Sequence, residues 1–162
     1  MKRNNIIFLD IDGVLASYLK MKHIDEYGPA FIDYSVSTLN KLIEKTNSDI
    51  CISSSWRVGR TIEDLQELLT ARGVKCNVVG KTDKSVDRGV EILNWLYGNS
   101  QYNEYIIIDD EMSDIIKTLP FNWKTHIKPN RFQGLTIYDI VDFDSSFRQD
   151  AIKNLETNQK FI

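Results

Sequence analysis

Residues 6–14 have the sequence IIFLDIDGV, in which a short apolar run ends in two acids. Four apolar residues precede Asp10 and Asp12, which stand one residue apart, and Gly13 follows. An apolar run that stops at acids and a glycine is typical of a buried strand ending in a turn. Alternation along an extended segment puts both acids on one side, where like charges raise the pKa of at least one. The pair therefore predicts a bound cation or a shared proton, although a plain Asp-Gly turn has the same sequence.

Two later apolar runs also end in polar side chains. Residues 105–110 read YIIIDD and end in Asp109 and Asp110, whereas residues 49–57 read DICISSSWR and end in hydroxyls and an arginine. Hydroxyls and arginine suit phosphate oxygens. Ligands of open parallel sheets bind outside the carboxyl ends of the strands, so all these polar ends are expected in one crevice.

Short apolar runs alternate with helix-period stretches, which predicts an α/β fold with a five-stranded parallel sheet. The strands are expected near residues 6–10, 49–53, 76–79, 105–109 and 125–128. Helices are expected near residues 33–46, 61–72 and 86–98, after Asp110 as far as Pro120, and at 150–156. Asp33 or Ser35 is expected to cap the first helix, and Thr61 to Asp64 the start of the second.

Bulk properties limit the class of protein. With 162 residues the chain suits one domain, residues 1–162, and a net charge of -3 gives no overall basic field for holding long nucleic acid. Cys51 and Cys76 fall in predicted strands, so we expect two reduced, buried cysteines and a cytoplasmic protein. Residues 1–5 lead straight into a strand and do not predict a signal peptide or a membrane span.

The order of these elements resembles the haloacid dehalogenase superfamily of phosphohydrolases, whose motifs are DxDG, a strand-terminal Ser or Thr, a Lys or Arg, and paired acids. The resemblance narrows to the small phosphatase domains of phage and bacterial RNA repair (Swiss Army Knife) proteins. It is carried by DIDGVL (10–15), SSSWR (53–57), RGVEILNWL (88–96), IIIDDE (106–111) and GLT (134–136). The matches extend from Ile6 to Thr136, and they imply a three-layer α/β/α fold.

Members of the superfamily often carry a lid domain after the first or second strand, but residues 16–32 are too short for one. An uncapped site admits bulky substrates such as a nucleic acid end. This segment is instead expected to form a flap that touches the substrate. The residues of interest in it are Tyr18, Lys20, Lys22, His23, Tyr27, Gly28 and Pro29.

The resemblance implies that Asp10 is the nucleophile, forming an aspartyl-phosphate that water hydrolyses. Asp12 would protonate the leaving oxygen and then activate the water. Mg²⁺ would neutralise charge, held by Asp10, the backbone carbonyl of Asp12, and an acid from the other strand. Asp109 is the first choice for that acid and Asp110 the rival. Asp114 would orient metal-bound water.

Ser53 stands where the family uses a hydroxyl to bind the transferring phosphoryl group, and Ser54 is the neighbouring candidate. Arg57 is expected to grip phosphate bidentately, and Gly13 is counted with these substrate-binding residues. Trp56 either stacks on a base or packs in the core. A polar turn that caps the next helix is the alternative for the serines.

The cation that stabilises the phosphoryl group has three candidates. Arg88 is placed first because it matches the RGVEI context, Lys84 second, and Lys81 remains open. His23 and His126 match no motif and are expected to be structural. Thr136 belongs to the closing element or caps a helix.

These features together predict a Mg²⁺-dependent phosphomonoesterase, with RNA or DNA terminal phosphates as the leading substrate. The alternatives are a 5′- or 3′-nucleotidase or other small-molecule phosphatase, and a noncatalytic phosphate-binding module or subunit of a repair complex. We expect a monomer that does not bind membranes. Repair phosphatases commonly work alongside a kinase or ligase, so a repair-complex partner remains open. Residues 1–162 contain no phosphate-binding GxxxxGK[ST] loop of the kind a fused kinase would carry.

Overall fold

The computed structural model describes residues 3–19 and 23–159. Its strands are β1 (Asn5–Leu9), β2 (His23–Asp25), β3 (Gly28–Pro29), β4 (Ser48–Ile52), β5 (Val78–Lys81), β6 (Glu104–Ile108) and β7 (His126–Ile127). Its α-helices are α1 (Asp33–Thr46), α2 (Ile62–Ala71), α3 (Arg88–Gly98), α4 (Ile115–Thr118) and α5 (Ser145–Gln159). Two 3₁₀ helices cover Ser55–Arg57 and Ile137–Ile140. Within these ranges no helix is both long and apolar enough to cross a membrane.

Five strands form one parallel sheet in the order β5-β4-β1-β6-β7, which confirms the predicted α/β class. Side chains of β1 alternate between two cores, because successive residues of a strand point to opposite faces. Ile7 and Leu9 pack with residues of α1 and α2, while Ile6 and Phe8 pack with residues of α3 and α4. The sheet is therefore covered by helices on both faces.

Element boundaries differ from the predicted ones at a few places. The third strand of the sheet starts at Val78, so Cys76 lies before it and is only partly buried, whereas Cys51 is buried in β4. Both cysteines are free, and burial raises the pKa of each thiol. The last helix is longer than the predicted 150–156.

The predicted cap of α1 was wrong. Ile32 occupies the N-cap position, and no side chain caps the helix there. Ser35 Oγ donates instead to the carbonyl of Leu135, 2.7 Å away. In contrast, Thr61 and Asp64 form the predicted reciprocal capping pair at the start of α2.

The segment after β1 contains the antiparallel pair β2 and β3 and no inserted domain among its described residues. Arg72, at the end of α2, holds this hairpin through two bonds to Asp25, at 2.7 and 2.8 Å, and one to the carbonyl of Gly28, at 2.9 Å. Its guanidinium also stacks over the ring of Tyr27. Lys20 and Lys22, and the side chain of His23, lie outside the described residues. No described residue of this segment forms a lid over the carboxyl edge of the sheet.

Candidate active site

Strand register brings the predicted polar residues together. Leu9 of β1 is paired with Ile52 of β4 and with Ile108 of β6. The next residue of each strand is therefore Asp10, flanked by Ser53 on one side and Asp109 on the other. Because the strands are parallel, all three side chains follow the same edge of the sheet.

Asp10, Asp109 and Asp110, which we term the acid cluster, offer carboxylate oxygens that all lie within 4.8 Å of one another. The three residues are buried, with 8%, 4% and 4% of their surfaces exposed. Three negative charges this close are unfavourable in a buried site unless a cation or protons neutralise them.

Protonation equilibria reflect this crowding. Burial and the neighbouring Asp109 charge raise the pKa of Asp10 to about 9, against the lowering effect of Arg88. Burial also raises the pKa of Asp109 to about 6, although the backbone N–H of Glu111 and the Arg88 guanidinium oppose it. The sequence-based expectation attributed a raised pKa to repulsion between Asp10 and Asp12. That cause was wrong, since burial and the acids that follow β6, Asp109 and Asp110, are responsible.

Gly13 makes room for Asp110. A Cβ atom at Gly13 would lie 2.6 Å from Cγ of Asp110, and the residue has a φ of +78°, which favours glycine. Within residues 3–19 and 23–159, the buried Oδ2 of Asp110 has no hydrogen-bond partner. A buried carboxylate oxygen that lacks a hydrogen bond and lies beside two further acids fits a hard divalent cation, which prefers such oxygen ligands. The acid cluster could therefore hold a divalent metal ion.

Asp12 lies apart from the acid cluster. The chain turns immediately after β1, with the backbone N–H groups of Val14 and Leu15 both donating to the carbonyl of Ile11. In this turn the half-buried Asp12 accepts a 2.8 Å hydrogen bond at Oδ1 from the indole Nε1 of Trp56. Sequence reasoning did not foresee this contact.

Of the three predicted cations, Arg88 contacts the acids of the cluster. Its Nη1 lies 3.2 Å from Oδ2 of Asp109 and 3.8 Å from Oδ1 of Asp10, and it also donates to the carbonyl of Ser53. Lys81 instead donates to the carbonyl of Arg60 at 2.6 Å, and Lys84 is exposed in the loop before α3. Of the three candidates, the structure brings Arg88 to the site.

Arg57 does not reach the site. Its buried guanidinium donates to the carbonyls of Thr82 and Ser54, at 2.7 and 2.8 Å, and to Oε2 of Glu91, at 3.2 Å. These partners occupy the donors that the predicted grip on phosphate would need. Arg57 therefore connects the loop that contains Ser54 with α3.

The two serines differ in their surroundings. Ser54 Oγ accepts from the backbone N–H of Trp56 and caps the 3₁₀ helix, which matches the capping alternative. Ser53 Oγ is buried and has no hydrogen-bond partner within the described residues, like the hydroxyl of Thr82 at the end of β5. Ser53 thus keeps a free hydroxyl beside Asp10.

An open cleft of about 390 Å³ is lined by the acid cluster, Asp12 and Arg88, together with Tyr18 of the expected flap and Arg131. Tyr18 is 47% exposed, and the guanidinium of Arg131 lies 5.6 Å from its ring centre. Nε of Arg131 is also 3.4 Å from Oδ2 of Asp110. Arg131 is the first residue of the closing element RFQGLT (131–136), and the resemblance of this segment to the family's element beside the active-site mouth was the available signal.

The remaining sequence candidates lie in structural or peripheral positions. His126 is buried in β7, where its ring nitrogens pair with the carbonyl of Leu119 and the hydroxyl of Thr125. Thr136 starts the second 3₁₀ helix and donates to Asp139. Asp114 lines the cleft, but it is largely exposed and paired with Lys117 at 3.0 Å.

Comparison with known families agrees with this geometry. A family model described as the HAD domain in Swiss Army Knife RNA repair proteins matches residues 6–140. No curated protein and no solved structure matches the chain. The matched range contains every residue of the acid cluster as well as Asp12, Ser53 and Arg88. The chain belongs to the family of haloacid dehalogenase domains found in Swiss Army Knife RNA repair proteins, a phosphohydrolase family.

Proposed function

We propose that this protein is a Mg²⁺-dependent phosphomonoesterase that removes terminal phosphates from RNA or DNA through an aspartyl-phosphate on Asp10. The observation that carries the proposal is the acid cluster with Arg88 at its side, at the carboxyl edge of the sheet. A phosphate monoester brings more negative charge, so such a site needs a cation before it can act.

In the proposed reaction an oxygen of Asp10 attacks the phosphorus in line with the leaving oxygen. Asp12 gives its proton to that oxygen as the P–O bond breaks, and later removes a proton from the water that attacks the aspartyl-phosphate. Mg²⁺, held by Asp10, the backbone carbonyl of Asp12, and Asp109 with Asp110 as the rival ligand, would neutralise phosphate charge. Arg88 and the free hydroxyl of Ser53 would bind phosphoryl oxygens.

The open side of the cleft supports a polynucleotide substrate. Tyr18 presents an exposed ring beside the acid cluster, and Arg131 stacks against it. A planar, cation-backed ring is a platform for a nucleobase, and such stacking contributes about 1–3 kcal/mol per base. A base next to the terminal phosphate would lie on Tyr18 while the phosphate enters the acid cluster.

The test is phosphate release, with and without Mg²⁺, from 3′- and 5′-phosphorylated oligonucleotides, mononucleotides and an aryl phosphate. We expect preferential release from oligonucleotide ends. In Tyr18→Ala, KM should rise about tenfold for oligonucleotides and stay unchanged for the other substrates. Activity confined to small esters would replace the substrate class with a nucleotidase or metabolite phosphatase. Complete inactivity with Mg²⁺ bound would leave a phosphate-binding module or a subunit of a repair complex.

A further inference from the structure

We infer that Trp56 is the positioning residue of the proton donor, fixing the carboxyl group of Asp12 for protonation of the leaving oxygen. This inference rests on the proposed function. It starts from the 2.8 Å hydrogen bond from Nε1 of Trp56 to Oδ1 of Asp12, which links two residues 44 positions apart in the chain. Trp56 is only 8% exposed, so the indole side of the bond is shielded from water, while the half-buried Asp12 faces the cleft.

The indole ring is itself held on several sides. Ser54 Oγ accepts the backbone N–H of Trp56 at 3.2 Å and fixes the start of the 3₁₀ helix. The ring packs against Phe31, with centroids 5.8 Å apart, and the guanidinium of Arg60 lies 5.6 Å from its centre. Arg60 also donates to the carbonyl of Trp56 at 2.9 Å. A donor fixed in this way can hold a mobile carboxyl group in one orientation.

Asp12 needs such a partner because it lies on the turn after β1, outside the acid cluster. The ion pairs of Arg88 reach Asp10 and Asp109, and the ion pairs of Arg131 reach Asp110 and Glu111. The hydrogen bond from Trp56 engages Oδ1 and leaves Oδ2 of Asp12 to carry the proton. Indole N–H is a donor only, so Trp56 cannot take up or relay that proton. Its contribution is therefore orientation of the acid.

Leaving groups of different basicity separate this role from a merely structural one. When the P–O bond of benzyl phosphate breaks, the departing alkoxide must receive the proton of Asp12. When the P–O bond of 4-nitrophenyl phosphate breaks, the weakly basic phenolate leaves without a proton. Loss of orientation at Asp12 should therefore slow the first reaction much more than the second.

The experiment measures kcat/KM of Trp56→Phe with both esters, since kcat/KM reports the steps up to cleavage of the P–O bond. The substitution removes the indole N–H and keeps an aromatic ring in the core. We expect kcat/KM to fall about 100-fold for benzyl phosphate and to stay within about threefold for 4-nitrophenyl phosphate. For an enzyme that accepts only oligonucleotides, the pair becomes a terminal phosphate and its bridging-sulfur analogue, whose thiolate leaves without a proton.

Trp95→Phe is the matched control. Trp95 packs on the other face of the sheet against Phe8 and Tyr102, with centroids 5.5 and 5.6 Å away. Replacement of Trp95 should leave kcat/KM unchanged for both esters. A second control is Asp12→Asn, in which further replacement of Trp56 should cost nothing more, because the positioned proton is already gone.

Equal losses on both esters in Trp56→Phe, or no loss on either, would overturn the inference while leaving the proposed phosphatase intact. Full activity in Asp10→Asn would instead refute the proposed function itself. If Trp56→Phe does not fold, Ser54→Ala loosens the same helix and should show the same selectivity at smaller size. Uniform loss in that variant would also refute the inference.

Discussion

Asp49 and Asp10 are both buried carboxyl groups, but they lie near opposite ends of the sheet and have very different neighbours. Asp49, near the start of β4, accepts hydrogen bonds from the hydroxyl of Tyr102 at 2.6 Å and from Asn77 Nδ2 at 3.1 Å. Arg3 adds an ion pair at 3.5 Å. Asp10, just beyond the end of β1, has two other acids as its neighbours.

This difference distinguishes a structural acid from a functional one. Burying a carboxylate is unfavourable unless hydrogen bonds or opposite charges compensate, and Asp49 has that compensation from the fold. The acid cluster has Arg88 and Arg131 at its edges, yet one oxygen of Asp110 lacks a hydrogen bond within the described residues. The carboxyl end of the sheet therefore keeps a buried carboxylate oxygen available to a cation. The amino end is already compensated.

The largest effect is expected where the acid cluster meets its cation. Arg88→Ala should lower kcat about 10²- to 10³-fold, because a donor to the phosphoryl oxygens is lost. Arg57→Ala should instead destabilise the fold by about 3–5 kcal/mol, since Arg57 pairs with the buried Glu91. Steady-state kinetics and thermal melting of both variants check this. Similar kinetics in the two variants at a temperature where both are folded would contradict the contrast.

Metal dependence should respond next. Asp109→Ala is expected to raise the Mg²⁺ concentration for half-maximal activity at least about tenfold, because a ligand oxygen is removed. The titration is repeated with Asp110→Ala. An unchanged midpoint in Asp109→Ala together with a raised one in Asp110→Ala would transfer the ligand role to Asp110.

The pH dependence of stability should differ between wild type and Asp10→Asn in the absence of metal. Burial and the neighbouring Asp109 raise the pKa of Asp10 to about 9 in the folded protein, whereas the pKa of a free Asp side chain is 3.8. The unfolded chain therefore loses this proton at a lower pH than the folded protein does. As a result, the free energy of unfolding falls as pH rises from about 4 to about 9. With a chelator, wild type should lose at least about 4 °C in Tm relative to Asp10→Asn between pH 5 and pH 8. An equal change of Tm with pH in wild type and Asp10→Asn would argue against a crowded acid cluster.

The smallest effect is expected at the amino end. Asp49→Asn should lower Tm by about 2–4 °C, since it weakens the bonds to Tyr102 and Arg3. It should leave kcat, KM and the Mg²⁺ titration unchanged. Any shift in the metal midpoint would show that the two ends of the sheet are coupled, against the separation drawn above.

Sequence reasoning located the acid cluster because parallel strands deliver their terminal residues to one edge. Three short apolar runs with polar ends were therefore enough to bring Asp10, Ser53 and Asp109 together, before any contact was known. The family resemblance of the RGVEI segment placed Arg88 first among three basic residues, ahead of Lys84 and Lys81. These features depend on local pattern and strand order, which a sequence carries directly.

Other features depend on partners that are distant in sequence. The internal use of Arg57 follows from Thr82 and Glu91, which lie on other elements. The Trp56 to Asp12 hydrogen bond depends on how the 3₁₀ helix packs beside the turn after β1. The raised pKa of Asp10 follows from its burial in the fold and from Asp109 and Asp110, which follow β6. No periodicity or local spacing encodes such side-chain geometry.

The proposed role of Asp10 as the nucleophile is tested most directly by Mg²⁺-dependent phosphate release from a phosphorylated oligonucleotide, measured side by side for wild type, Asp10→Asn and Asp49→Asn. Both substitutions change one buried carboxyl group to an amide, so they differ chiefly in which end of the sheet they alter. We predict equal, Mg²⁺-dependent activity for wild type and Asp49→Asn, and at least about a 10⁴-fold loss in Asp10→Asn. Substantial turnover by Asp10→Asn, or undiminished turnover by wild type with a chelator, would contradict the account.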